Sequence, residues 1–379
     1  ITGDNHIDNG AETGKTLTIN AQLTGATGFE FWHNTYRGTI ALLNPDNDYT
    51  LSTIINVAGT IAFDTLANSG TACSLGKGSV IALNAVGCKY LYTGTGSTSD
   101  RTLDVRAGGI VEQAGTGNLK FTGNTASTTT GAKTLVLAGS TAGTGEISGS
   151  IVNGSGTVSL TKQGTGTWTI SGNSSYSGTT LVEGGTLAVS GPNGTLGAST
   201  GYTLTNGATL LLSNTSSANN TNRLRDASAI TLNGGTLALA HDAGAADFQE
   251  NAGALVVNLN ANTVSVQQAA EGQTSTLRFA SLSRANNGTI NFVGAGLGES
   301  DRNRIFITGQ PAGLIGSWAT VNGGGIAAYD PVKGVYDIST SGITSIAARG
   351  PSEIPDDNSK AAVINDDGTD GPITLAGAT

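Results

Sequence analysis

Between Leu160 and Val189 the chain alternates apolar and polar residues in short runs divided by glycine-rich turns. Thr167-Trp168-Thr169-Ile170 is followed by the turn Ser171-Gly172-Asn173, Thr180-Leu181-Val182 by Glu183-Gly184-Gly185, and Thr186-Leu187-Ala188-Val189 closes the stretch. Residues two apart share one face of a strand, so each run buries one side and shows threonine or serine on the other. The signature recurs: Gly184–Val189, Gly207–Leu212 and Gly234–Leu239 keep the same order, with starts 23 and 27 residues apart. A period in the twenties with one strand signature per period is what stacked coils produce, because a single coil cannot bury its inner face alone.

The same alternation predicts strands at Thr16–Asn20, Thr39–Leu43, Tyr49–Asn56 and Thr60–Asp64. Further on it predicts Ser79–Leu83, Leu103–Val105, Gly109–Val111, Leu119–Thr122 and Lys133–Leu137. Beyond the repeats come Leu255–Leu259, Thr263–Val266, Thr276–Phe279, Thr289–Val293 and Arg304–Thr308. After Gly309 the texture changes, with short runs at Ile315–Val321, Ile326–Tyr329 and Val335–Ile338, an acidic, proline-bearing segment at 351–370, and a last strand pattern at Pro372–Leu375. Helical spacing is convincing nowhere. The pattern divides the chain into N-terminal coils (1–145), a core with the repeats (146–310) and C-terminal coils with the acidic loop (311–379). Each added coil extends one core rather than founding another, which predicts one elongated rod. Neither end reads as a dedicated cap, and an uncapped rod is expected to continue into more polypeptide or to stack on another copy.

Within residues 160–189, the order Leu160, Lys162, Gly164, Gly166, Gly172, Asn173, Tyr176, Ser177, Gly178, Thr179, Thr180, Val182, Gly185, Thr186, Leu187 resembles the autotransporter-associated β-strand repeat of bacterial autotransporter passenger domains. Trp168 and Gly184 complete the set of repeat positions. The match covers about thirty residues, with weaker echoes to Ala240. The resemblance implies a right-handed parallel β-helix, all-β, exported and displayed at the bacterial cell surface. Such proteins usually end in a transmembrane β-barrel, which this sequence does not show.

Composition narrows the function classes. The 57 glycines, the low charged fraction of 12% and the absence of methionine describe a turn-rich chain coated in hydroxyls and amides, and a chain that has lost a leader or is part of something longer. A net charge of −9 opposes nucleic-acid binding, which needs a basic stripe. The densest basic group, Arg302 and Arg304 near Arg284, reads as too sparse for a groove. No apolar run approaches the length of a membrane-spanning helix, and the frequent turns and missing aromatic girdles do not suit barrel strands. The two cysteines, Cys73 and Cys88, are separated by fourteen intervening residues. In a secreted chain they are expected to form a disulfide worth about 3 kcal/mol in the loop-entropy picture, the alternatives being a buried free pair and a metal site, which lacks nearby histidines.

Candidate chemistry is thin. Asp46 with Asp48, Asp242 and Asp247 near His241, Asp356 with Asp357, and Asp366, Asp367 and Asp370 offer the carboxylates that a polysaccharide lyase or glycoside hydrolase on a β-helix would use. Their glycine, proline and asparagine surroundings suit solvated turns instead. The run Asn365–Asp370 has the oxygens of a weak calcium loop without the full twelve-residue order, and no other cofactor is expected. His6, His33 and His241 lie far apart and read as solvent-facing. Phe29, Phe31, Trp32 and Tyr36 are the one aromatic concentration, read as a packing plug or an interface. Regular Thr-x-Thr ranks of the ice-binding kind are not sustained. The expected function is that of a non-enzymatic extracellular surface protein: an adhesin meeting host or matrix glycans, a structural rod, or a self-assembling filament subunit. The alternative is a secreted polysaccharide-degrading enzyme.

Overall fold

The computed structural model describes residues 6–8, 13–32, 37–139, 143–215, 218–242, 247–268 and 272–341. Among these, the chain winds into a parallel β-solenoid whose sides are three sheets. The first sheet has seven strands, from His6–Asp8 through Phe29–Trp32, Thr53–Ile55, Val80–Leu83, Thr102–Asp104 and Thr125–Ser127 to Ile151–Gly154. The second stacks thirteen parallel strands from Thr16–Ile19 to Asn303–Ile307. At about 4.8 Å per rung that sheet is about 60 Å tall. The third begins at Ser97–Ser99 and runs in parallel as far as Ala319–Val321.

Register explains the core. Ile40, Ile61, Tyr90, Val111, Leu137, Lys162, Val182, Leu204, Leu232 and Val257 pair in succession across the second sheet, each at most 1% exposed. Trp168, Leu187, Leu210, Leu237, Val264 and Phe292 make the matching column in the third. The two columns face each other across one continuous interior, and each Leu or Val in them contributes about 1.5–3 kcal/mol by leaving water. Past Gly154 the first sheet gives way to loops, yet the coils still stack on that side, through the bridge of Asn173 with Thr195 and the bond from Leu196 N to Arg223 O at 2.7 Å.

The structure departs from the sequence reading at the C-terminal side. Gly325–Asp330 turns back antiparallel on Ala319–Val321, and Gly334–Asp337 folds back on it in turn. Val335 and Ala327 of this meander are fully buried, and Tyr329 meets Ile307 N at 3.3 Å through its hydroxyl. Arg284 occupies the inward register position after Val257, and its guanidinium lies 5.5 Å from the Trp318 ring while Nε donates to Gly288 O. Among the described residues antiparallel strands follow the last parallel rung and pack over it, where a continuing parallel coil is the expectation from sequence. At the opposite end Leu17, in inward register with Ile40, is 40% exposed because no described strand precedes its own in that sheet.

Several strands carried no apolar alternation and were not anticipated, among them Ser97–Ser99, Thr125–Ser127 and Thr144–Ile147. Pairing with neighbouring strands holds them, and of their side chains Ile147 packs in the core.

The disulfide is also corrected: Cys73 and Cys88 are both free and buried. Cys73 lies in the turn before strand Val80–Leu83, where its Sγ accepts from Arg101 Nη2 at 3.2 Å and donates to Gly76 O. Cys88 lies beyond that strand, with its thiol directed at Gly108 O, and burial pushes its pKa up to about 11. Sequence separation measured the loop but not the sides of the coil against which each thiol packs.

Phe29 and Phe31 are buried, Phe29 facing the Tyr49 ring at 6.0 Å, so these two are core and not interface. Their strand, Phe29–Trp32, alternates inward and outward, which places both phenylalanines on the core side. Trp32 ends that strand, and Tyr36 lies outside the described residues.

Candidate functional site

The residues of the repeat stretch come together as one complete coil. Trp168 is fully buried in the third sheet and its indole Nε1 donates to Ala138 O at 2.8 Å. The preceding rung makes room for it: a Cβ on Gly145 would lie 2.3 Å from the indole, which only glycine avoids. Leu187 packs in the next rung. Gly172 lies so close over the preceding coil that a Cβ would meet Gly149 O at 2.1 Å, and Gly178 is equally close to Val158 O. Asn173 is exposed and Tyr176 buried, the Tyr176 hydroxyl bonding Thr180 Oγ1 at 2.6 Å and Thr180 in turn Ser199.

Lys162 explains the turn residues of the motif. It stands in the apolar column, fully buried, and its ammonium donates to the carbonyls of Gln163, Gly164 and Gly184 at 2.7, 2.9 and 3.1 Å. Those carbonyls belong to successive turns, so one side chain ties two coils at their corner. Burial lowers the Lys162 pKa to about 8. Gly185 holds φ +58° in the second of these turns, and Gly166 N bonds back to Gly139 O at 2.8 Å. The repeat positions are thus scaffold: they fix corners and core, and leave the outward positions free to vary. The buried Tyr–Thr corner recurs at Tyr49 and Thr53 at 2.8 Å, outside the stretch that the motif covers.

Outward, register lines up Thr144, Thr167, Thr186, Thr209, Thr236 and Thr263 in one rank across six consecutive rungs. The neighbouring outward rank reads Glu146, Thr169, Ala188, Leu211, Ala238, Ser265, so a double threonine array does not form.

The carboxylates weighed for catalysis do not converge. Asp46 is exposed, Asp48 is 3.9 Å from Lys77, and Asp242 and Asp247 are exposed. Asp356, Asp357, the Asn365–Asp370 calcium candidate and His33 lie outside the described residues. Among the described residues no group of three metal-ligating side chains is brought together.

His241 is not solvent-facing. It is 7% exposed because its strand continues the inward register of Asn214, and its ring lies 5.1 Å from Phe248 with neither nitrogen hydrogen-bonded. Burial lowers its pKa, against the opposing pull of Asp242 and Asp247.

Two further buried charges escaped the sequence reading. Arg223 is fully buried, its guanidinium bonding Asn214 Oδ1, Gly194 O and Gly191 O, while desolvation lowers its pKa to about 10. The Glu250 carboxylate, also fully buried, accepts from the backbone N–H groups of Arg223 and Leu224 at 2.8–3.0 Å. Desolvation raises its pKa to about 7. Glu250 alternates with the buried Phe248 and Ala252 of its strand, whereas Arg223 lies in a turn whose burial only the stacking of coils reveals.

Comparison with known proteins agrees with this geometry. Residues 160–189 match the family model of the passenger-associated-transport-repeat. The adhesin BmaC autotransporter of Brucella suis biovar 1 (strain 1330) is 35% identical over 148 residues, which is 37% of this chain and 4% of that protein. No solved structure matches. The chain spans only a small part of the curated relative it matches, and over residues 160–189 it carries the passenger-associated repeat that its sequence resembles.

Proposed function

We propose that this chain is a segment of a surface-displayed autotransporter passenger and acts without catalysis, as a solenoid shaft that presents adhesive outer faces. One observation carries the reading: the passenger repeat of residues 160–189 is not an isolated motif but one coil of a continuous parallel solenoid, joined in register to the coils on both sides. An outer-membrane export route suits such a body, since each coil completes its backbone bonds on the coil before it. The relative named as an adhesin supports the adhesive role. The outward positions, unconstrained by the scaffold residues, are where ligand contacts belong.

The test is surface shaving of intact cells of the source bacterium. Externally added protease is expected to remove the chain's epitopes while a periplasmic control survives; protection of the chain until lysis would overturn surface display. Beads coated with the purified chain are expected to bind mammalian cells above albumin-coated beads. Equal binding would remove the adhesive role.

A further inference from the structure

Strand pairing brings Arg278 beside the Arg302–Arg304 group that the sequence shows, and so gathers guanidinium groups at the last rungs of the second sheet of this acidic protein. In the second sheet Thr276 pairs with Arg304, and Arg278 with Phe306. Alternation puts all four on the outer face, because their neighbours Leu277, Ile305 and Ile307 are buried inward. Arg302 lies in the bend directly before the strand of Arg304 and Phe306.

The Phe306 ring organises the pair. The Arg278 guanidinium lies 4.2 Å from its centroid and that of Arg304 5.9 Å, so the ring is 8% exposed and its two cationic covers face the solvent. Stacking on an aromatic face fixes the plane of a guanidinium and leaves its edge N–H groups available, and planar bidentate donation is what carboxylate and sulfate groups accept. Arg278 is exposed and makes no ion pair among the described residues. Arg304 pairs with Asp301, whose side chain is 74% exposed, so an incoming anion competes with a solvated carboxylate rather than a buried one. The rung above supplies outward amides from Gln249 and Asn251 beside Thr276 and Arg278.

We infer that the outer face of these last rungs is a binding site for an acidic polysaccharide, with Arg278 and Arg304, oriented by Phe306, as the residues that hold its sulfate or carboxylate groups. The chemistry selects this class. A flat strip that joins guanidinium forks to amides and a hydroxyl matches a sugar chain carrying both charged and neutral polar groups. A membrane needs an exposed apolar side chain to enter, and Phe306 is covered. A nucleic acid needs charge over a longer track than two rungs supply, against the chain's net −9. The inference rests on the adhesive reading and gives it a ligand class.

Immobilised heparin, as a sulfated polysaccharide, and polygalacturonate, as a carboxylated one, test the site with the whole chain. Wild type is expected to be retained on at least one of them at low salt and released as salt rises. The R278Q/R304Q variant is expected to bind at least tenfold more weakly with an unchanged melting temperature, and R278K to fall between the two because it keeps charge but loses the fork. No retention on either matrix, or retention equal in the double variant, overturns the inference. So does equal or tighter binding to duplex DNA or to phosphatidylglycerol vesicles at the same salt. Cell binding is scored separately: beads that bind cells without binding either glycan sink this inference and spare the adhesive role, and glycan binding without cell binding does the reverse.

Discussion

The coil at Leu160–Val189 and the coils around Asn214–Ser275 solve the same problem with different chemistry. Both must close a corner where backbone carbonyls turn away from the sheets. In the first, Lys162 reaches three carbonyls, one of them on exposed Gly164, and everything else in the interior is uncharged. In the second, Arg223 and Glu250 are both fully buried yet do not pair with each other: the guanidinium bonds Asn214 and carbonyls, the carboxylate bonds backbone N–H groups. Close by, His241 bonds nothing through its ring. A repeat that recurs can settle on glycine, threonine and tyrosine corners; the coil whose strands Thr209–Asn214 and Ile230–Asn233 are joined by a long connection holds its irregular backbone with charges. The price is sensitivity to pH below neutrality, whereas the shifted group of the regular coil, Lys162, titrates only at about 8 and above.

Substitutions of equal shape expose that difference. The largest effect expected in the regular coil comes from packing. Trp168→Ala leaves a cavity between Gly145 and Leu187 and orphans Ala138 O, costing about 3–5 kcal/mol in denaturant unfolding. In the irregular coils the expected loss comes from buried polar groups: Arg223→Met removes the guanidinium bonds to Gly191 O, Gly194 O and Asn214 Oδ1, the last two of which keep only long contacts with Asn220 at 3.3 and 3.4 Å, and is expected to cost about 3 kcal/mol. Lys162→Met, by contrast, is expected to cost about 1 kcal/mol, because water reaches the corner at Gly164 and the methionine stem still fills the apolar column. Equal losses for the Arg223 and Lys162 variants would remove the contrast between the two corners.

Glu250 sharpens the comparison through its pH dependence. In the unfolded chain its carboxyl ionises near 4.5, whereas in the folded chain burial holds the proton up to about 7. Between those values the folded state binds more protons, so its stability is greatest below pH 4.5 and falls as pH rises toward 7. The amplitude is about 3 kcal/mol over that window. Glu250→Gln, which keeps an acceptor for the N–H groups of Arg223 and Leu224, should flatten the profile, measured as unfolding free energy from pH 4.5 to 7.5. An unaltered profile would show that the carboxylate is ionised in the folded state and that the irregular coils are no more pH-sensitive than the regular one.

How far the sequence could be read follows from the same division. Alternation with period two revealed the strands of the regular coils and the inward columns, because Leu, Val and Ile stand at every second position there. Ser97–Ser99 and Thr125–Ser127 gave no such signal, since their stability comes from neighbours on either side. The antiparallel meander was legible as strands but not as direction: Ile326–Tyr329 has the same pattern whichever way it pairs. Spacing alone suggests a Cys73–Cys88 bridge, yet both thiols are free and meet different partners, Gly76 O and Arg101 for Cys73 and Gly108 O for Cys88. Candidate site residues fared worst. Arg278 and Phe306 become neighbours only through a register of 28 residues, and the burial of Arg223 depends on coil geometry that no local pattern encodes, whereas His241 and Glu250 stand at the inward positions two residues after Leu239 and Phe248.

His241 gives the smallest of these effects and the one with opposite sign. Its folded-state pKa lies below the ordinary 6.5, because burial beside Phe248 disfavours the charged ring more than Asp242 and Asp247 favour it. A group depressed in this way contributes stability above its unfolded pKa and loses it as pH falls through 6.5 and below, where the unfolded chain takes up the proton first. His241 thus weakens the fold on acidification while Glu250 strengthens it, and the two partly cancel near pH 5–6. His241→Phe removes two buried nitrogens that have no partner and keeps the ring contact, so it is expected to stabilise the fold by about 1 kcal/mol at pH 5 and by less at pH 8. Combined with Glu250→Gln, it should leave a pH profile as flat as the regular coil's. A residual acid-sensitive limb in the double variant would place the titrating group elsewhere and separate the pH response from the irregular coils altogether.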